Sequence, residues 1–142
     1  MTQFDPPGYR YPILAQPLTP LELREELDAL LEACGLDPDR ATMSFPVDLD
    51  LEHWSNPRRY AQVIVKLMHF QFARAMLWLP DAQRVGVLAH EVGHVLTPGG
   101  NEADADRAAG EILGIPLKYD HRWPGKGLQT AITLEPGTMF AR

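Results

Sequence analysis

Two histidines four residues apart, with a glutamate directly after the first, make His90-Glu91-Val92-Gly93-His94 the segment of this sequence best equipped for chemistry. On an α-helix, residues four apart are separated by about 40° around the axis, so His90 and His94 project from one face and can share one metal ion. Neutral imidazole is a good zinc ligand. Glu91 points beside such a metal instead of at it, which suits a base that takes a proton from water. Zinc lowers the pKa of its water towards ~7 and makes hydroxide available near neutral pH. One Zn2+ ion is the expected cofactor.

A catalytic zinc usually takes a third protein ligand and keeps one position open for water. Downstream, Glu102 and Asp106 are four apart and share a helix face, so one can ligate while the other reaches a ligand's outer nitrogen. Asp104 lies about 200° around that helix from Glu102 and is expected to face away, as a charge favourable at a helix N-terminus.

His-Glu-x-x-His followed by Glu102-Ala103-Asp104-Ala105-Asp106 resembles the gluzincin metallopeptidases, the thermolysin-like group, in which the glutamate of a Glu-x-x-x-Asp pattern on the next helix is the third ligand. Asn101-Glu102-Ala103 ahead of Asp106 also resembles the Asn-Glu-Ala-x-x-Asp stretch of thermolysin itself, and the Glu-x-x-Ala-Asp form is similar to that of the HtpX/Ste24-type and ImmA/IrrE-type peptidases. The resemblance covers roughly residues 77–114. It implies a minimal zincin-like fold, hydrolysis of peptide bonds and Glu102 as third zinc ligand, with Asp106 assigned to orient His90. Residues 95–101 make a shorter connection than gluzincins commonly have, and Pro98-Gly99-Gly100 is the composition a tight helical reversal requires. The metzincin pattern fails, because the position six after His94 is Gly100.

A peptide-bond hydrolase also needs a donor for the oxyanion that develops on the attacked carbonyl. Tyr119, His121 and Arg122 cluster after the second helix, with His121 and Tyr119 ahead of Arg122 as candidates and polar residues of a solvated loop as the competing explanation. His53 and His69 stand alone in apolar or aromatic surroundings and are expected to be packed or surface residues. Trp54, Trp78 and Trp123 belong more naturally to a core than to a pocket.

These residues need elements to hold them. Residues 1–18, with Pro6, Pro7, Gly8, Pro12 and Pro17, read as an extended arm. Thr19 as N-cap, Pro20 at the first helical position, Glu22 closing a capping box and Leu18 as a staple residue start a helix that runs to about Ala33 or Cys34. Leu23, Leu27, Leu30 and Leu31 form its apolar stripe, Cys34 packs beside them, and Gly35 ends the helix in a left-handed conformation.

Alternation of Met43, Phe45, Val47, Leu49 and Leu51 around Pro46 predicts an edge or irregular strand over 41–52. Tyr60 to Leu79 reads as two strands, and either 41–52 or 69–79 is a candidate edge for an added substrate strand. Asp81 is placed to cap the metal helix, whose apolar positions are Val85, Leu88, Val92 and Leu96. Asn101 caps the next helix, which carries Ala105, Ala108, Ala109, Ile112 and Leu113 and ends at Gly114 and Pro116. The tail from Lys118 reads as loops with one strand near 130–134.

With 142 residues, 45% hydrophobic and 23% charged, the chain reads as one α+β domain, 1–142, in which a small sheet packs on a helical hairpin. The formal charge of −6 gives no basic field for a phosphate backbone, which argues against nucleic acid as a partner. The longest apolar stretches are broken by Lys66, His69, Gln71 and Arg74, well short of the ~18 apolar residues of a membrane helix. A single cysteine and an N-terminus without the regions of a secretion signal lead to the expectation of a cytoplasmic protein.

The reading is a zinc metallopeptidase acting on a peptide or protein, with Glu91 as general base. Two others stay open: a catalytically inactive zinc-binding descendant that binds a partner, and amide hydrolysis of a small molecule at the same site.

Overall fold

The computed structural model describes residues 14–55 and 59–113. Among these described residues four α-helices, α1 (Pro20–Ala33), α2 (Val47–Ser55), α3 (Asp81–Leu96) and α4 (Glu102–Leu113), pack with a three-stranded mixed sheet of β1 (Thr42–Ser44), β2 (Ala61–Ile64) and β3 (His69–Phe72). The fold is α+β.

Helix α1 begins and ends as its residue types require. The Thr19 hydroxyl accepts from the Glu22 N–H and the Glu22 carboxylate accepts from the Thr19 N–H, with Pro20 in the first turn. At the other end the Leu36 N–H reaches Leu31 O and the Gly35 N–H reaches Glu32 O, with Gly35 at φ 75°, a Schellman closure. Leu23, Leu27, Leu30 and Leu31 are buried at helical spacing, and Leu18 and Cys34 pack against the same core. Leu14 and Leu18 donate to the carbonyls of Trp78 and Leu77, so the end of the N-terminal arm lies along that segment.

In the sheet, β3 is central, parallel to β1 and antiparallel to β2. Met43, Phe70, Phe72, Ala61 and Val63 face the core, while His69, Gln71 and Gln62 alternate onto the other side. The expected pair of strands within Tyr60–Leu79 is present, but the second stops at Phe72, and Arg74–Trp78 turns into a 3-10 helix that buries Ala75, Met76 and Leu77. A central strand offers no free edge, which removes 69–79 as the substrate edge. Of the outer strands, β2 is the one packed on α3.

The strand expected over 41–52 is also shorter than its apolar alternation suggests. It covers Thr42–Ser44 only, and from Val47 the chain is helical. Pro46 cannot donate to a ladder, yet its carbonyl accepts from Leu49 and Asp50, and Asp48 and Asp50 favour the helix N-terminus. Leu49 is buried, whereas Val47 and Leu51, on either side of it in the alternation, are exposed. On a helix the residue sharing a face with Leu49 is His53, which is buried as well.

Helix α3 is enclosed by α1, α4 and β2, and every residue from Arg84 to Gly93 is buried. Such a helix needs apolar or paired groups all round. Val85, Leu88 and Val92 are buried as expected, whereas Leu96 at the end of the helix is exposed. Pro80, not Asp81, occupies the N-cap; Asp81 is the first helical residue, where its carboxylate meets Arg84. Arg84 has no exposed surface. Its Nε and Nη2 lie 2.6 and 2.8 Å from the two carboxylate oxygens of Glu26, and Nη1 donates to Leu79 O at 2.6 Å. This fork ties α1 to α3.

Candidate metal centre

His90, Glu91 and His94 lie on the buried stretch of α3, and Glu102 and Asp106 on the first turns of α4. Asn101 caps α4 reciprocally with Asp104: the Asp104 N–H meets Asn101 Oδ1 at 2.9 Å and the Asn101 N–H meets Asp104 Oδ2 at 3.0 Å. Asp104 also pairs with Arg107 and takes no part in the histidine cluster, in keeping with its expected orientation.

Between the helices the Thr97 N–H and hydroxyl both reach Gly93 O, and the Gly100 N–H closes on Thr97 O with Gly99 at φ 80°. This turn lays α4 back along α3. Contact is close because Gly93 has no side chain, and on α4 the small residues Ala105 and Ala109 are buried.

The result is a tight constellation. His90 Nε2 is 2.5 Å from Glu102 Oε2, His94 Nε2 is 3.3 Å from Glu102 Oε1, and the ligand atoms of these three residues all lie within 4.8 Å of one another. On the far side of the ring, His90 Nδ1 is 2.7 Å from Asp106 Oδ1. The two imidazoles meet edge to face with centroids 4.8 Å apart. His90 and Glu91 are buried, His94 is partly so, and the Glu102 side chain is about half exposed at 49%.

The electrostatics follow from that placement. Burial by itself would lower the His90 pKa, but hydrogen bonds to Asp106 and Glu102 and the charges of Glu91 and Asp106 push it up to about 10. Both ring nitrogens face carboxylate oxygens, so the metal-free ring is an imidazolium donating to each. The hydrogen bond from His90 holds Glu102 down at about 2, overriding its partial burial, and the charges of both histidines add to the effect. Burial pushes Glu91 up to about 7; Glu102 adds to the rise, while His90 and Arg59 act against it.

The donor set fits a divalent metal. Two imidazole nitrogens and a carboxylate are ligands that zinc accepts, and bonds of about 2.0–2.1 Å in a tetrahedral site place ligand atoms about 3.4 Å apart. The present separations, from 2.5 Å up to 4.8 Å, bracket that spacing. Asp106 occupies the position from which a carboxylate fixes the tautomer of a metal-binding histidine. His90, His94 and Glu102 could therefore hold a metal ion.

Tyr119, His121, Arg122 and Trp123 lie outside the described residues, as do most of residues 1–18, Gly114 and Pro116, where the helix is expected to end, and residues 130–134, where a strand is expected. Neither of the two histidines set aside joins the cluster. His69 bridges Thr42 Oγ1 at 2.6 Å and Ser44 Oγ at 2.9 Å, and His53 packs on Tyr60 with ring centroids 4.5 Å apart. Trp78 packs against the core. One charged residue that no motif marks, Arg59, lies two residues before β2, contacts Gln62 and Glu52, and its charge acts on Glu91.

Comparison with known protein families, with curated proteins and with solved structures found no match. Among the described residues no helix is long and apolar enough to cross a membrane.

Proposed function

We propose that this chain is a zinc-dependent metallopeptidase of minimal gluzincin type, hydrolysing peptide bonds in a peptide or protein substrate. One observation carries the reading: two histidines of one helix and a glutamate of the next bring their ligand atoms together, with a buried glutamate adjacent in sequence to the first histidine. A carboxylate kept inside the fold at the cost of its own ionisation has a clearer use in proton transfer than in stability.

His90, His94 and Glu102 would hold the ion, and zinc bound there would supply a Lewis acid for the scissile carbonyl and for water. Asp106 accepts from His90 Nδ1–H, which would leave Nε2 to ligate the ion. Glu91 takes a proton from the attacking water and delivers it to the leaving amine nitrogen. Its pKa of about 7 in the metal-free protein is close to the value that makes one carboxyl both acceptor and donor near neutral pH. The substrate backbone lies along the edge of β2, the outer strand packed on α3. A cytoplasmic location accords with the single cysteine.

The test is zinc content and cleavage of an unstructured protein by wild type and Glu91→Gln. The expected result is one zinc in each and cleavage by wild type alone. Zinc retained without cleavage of a broad peptide library would favour a zinc-bearing binding module. Absence of stoichiometric metal in both would sink the assignment.

A further inference from the structure

Away from the metal centre, one more histidine is enclosed by the fold. His53 lies on the last turn of α2 with 4% of its surface exposed, and its ring packs on the buried Tyr60. Its Nδ1 is 3.1 Å from the carbonyl oxygen of Arg59, two residues before β2. A carbonyl can only accept, so Nδ1 carries the proton. Nε2 is buried and has no hydrogen-bond partner among the described residues. The ring is therefore held as a neutral imidazole with its second nitrogen bare.

A second proton would place an N–H on Nε2 inside the fold, where nothing in reach accepts it. On α2, Asp50 is the charged group acting on the ring, but its Oδ1 takes the Arg74 N–H at 2.7 Å and its Oδ2 lies 3.8 Å from Arg74 Nε. Glu52 on the same helix pairs with the Arg59 side chain. The titratable residue of β3, His69, is engaged by Thr42 and Ser44. Burial accordingly holds the His53 pKa below its ordinary 6.5, against the bond to Arg59 and the charge of Asp50.

The single bond from Nδ1 joins the end of α2 to the chain that enters β2, and the next carbonyl, of Tyr60, accepts from the Ala73 N–H at the end of β3. We propose that His53 is an acid-sensitive latch: its neutral ring fastens α2 to the start of β2, and a second proton on that ring releases the helix locally. The open form binds the proton at the ordinary pKa of a solvated imidazole and the closed form excludes it, so opening is favoured as pH falls below 6.5. The latch does not depend on the peptidase reading.

Hydrogen exchange of the full chain in EDTA, followed by mass spectrometry at pH 7 and pH 5 and divided by the intrinsic rate at each pH, tests it. Over residues 47–55 the opening constant is expected to rise about 5-fold or more relative to α1, with about 25-fold as the limit set by one excluded proton. His53→Asn keeps a donor at the Nδ1 position and does not titrate, so the relative rise should shrink below about 2-fold. Imidazole NMR of the wild type, which needs no variant, should show a His53 midpoint below 6.5 with Nδ1 protonated at pH 7. Equal rises in α2 and α1 overturn the latch, as does a His53 midpoint at or above 6.5, or a relative rise that persists in folded His53→Asn. If His53→Asn does not fold, exchange and titration of the wild type decide.

Discussion

A β-carbon on Gly93 would lie 2.3 Å from the carbonyl oxygen of Ala105, so the backbones of α3 and α4 touch at the one residue between the metal-facing histidines that has no side chain. The obstacle is backbone, which cannot swing aside as a side-chain tip can. Gly93→Ala therefore forces α4 outward and carries Glu102 and Asp106 away from His90. The expected cost is about 3 kcal/mol or more of stability, with zinc binding lost even where the fold survives. Thermal denaturation and metal content check this; an alanine variant with wild-type melting and full zinc would contradict the close contact.

Asp106 accepts from His90 at 2.7 Å and is itself only slightly exposed. Asp106→Asn keeps the shape but removes the charge that holds the imidazole in place. Zinc affinity, measured by competition with a chromophoric chelator, should fall by about 10–100-fold while helicity is unchanged. Unaltered affinity would make Asp106 a packing residue only.

Glu91 is buried, and its folded pKa of about 7 stands above the ordinary 4.5. The folded state therefore binds more protons than the unfolded state between those values, and stability falls as pH rises through that window. In metal-free protein Glu91→Gln removes the penalty. Chemical denaturation in EDTA should show the variant more stable by about 1–3 kcal/mol at pH 8, with the gain shrinking as pH falls to 4.5. A variant destabilised at pH 8 would show that Glu91 is supported by its surroundings instead of strained in them.

The opposite sign of design holds at Arg84, a fully buried cation whose fork is filled by Glu26. Glu26→Ala leaves that cation short of its main partner and should cost about 3–5 kcal/mol. Replacing both ends, Glu26→Leu with Arg84→Met, should recover most of the loss, because the pair's desolvation is removed together with its attraction. Urea denaturation of the single and double variants reads this directly; a double variant no more stable than Glu26→Ala would contradict it.

What the sequence determined by itself is the part that obeys local rules. The spacing of His90 and His94 puts them on one face of any helix, and Thr19-Pro20-Leu21-Glu22 and Asn101-Glu102-Ala103-Asp104 start helices through hydrogen bonds spanning three residues. The leucine stripe of α1 and the core-facing phenylalanines of β3 are equally legible, since a period of 3.6 or 2 is a property of the backbone. Local pattern misled where two structures share it: Val47, Leu49 and Leu51 alternate like a strand, yet Pro46 and the following aspartates start a helix that buries only Leu49 of the three. The tertiary structure alone decided that β3 is central and β2 lies against α3, because strand order depends on chain reversals that no periodicity encodes. It also decided that Glu102 reaches both histidines, through a turn at 97–100 and a backbone contact at Gly93. Distances of that kind belong to packing, where the absence of one β-carbon on α3 determines how closely α4 can approach.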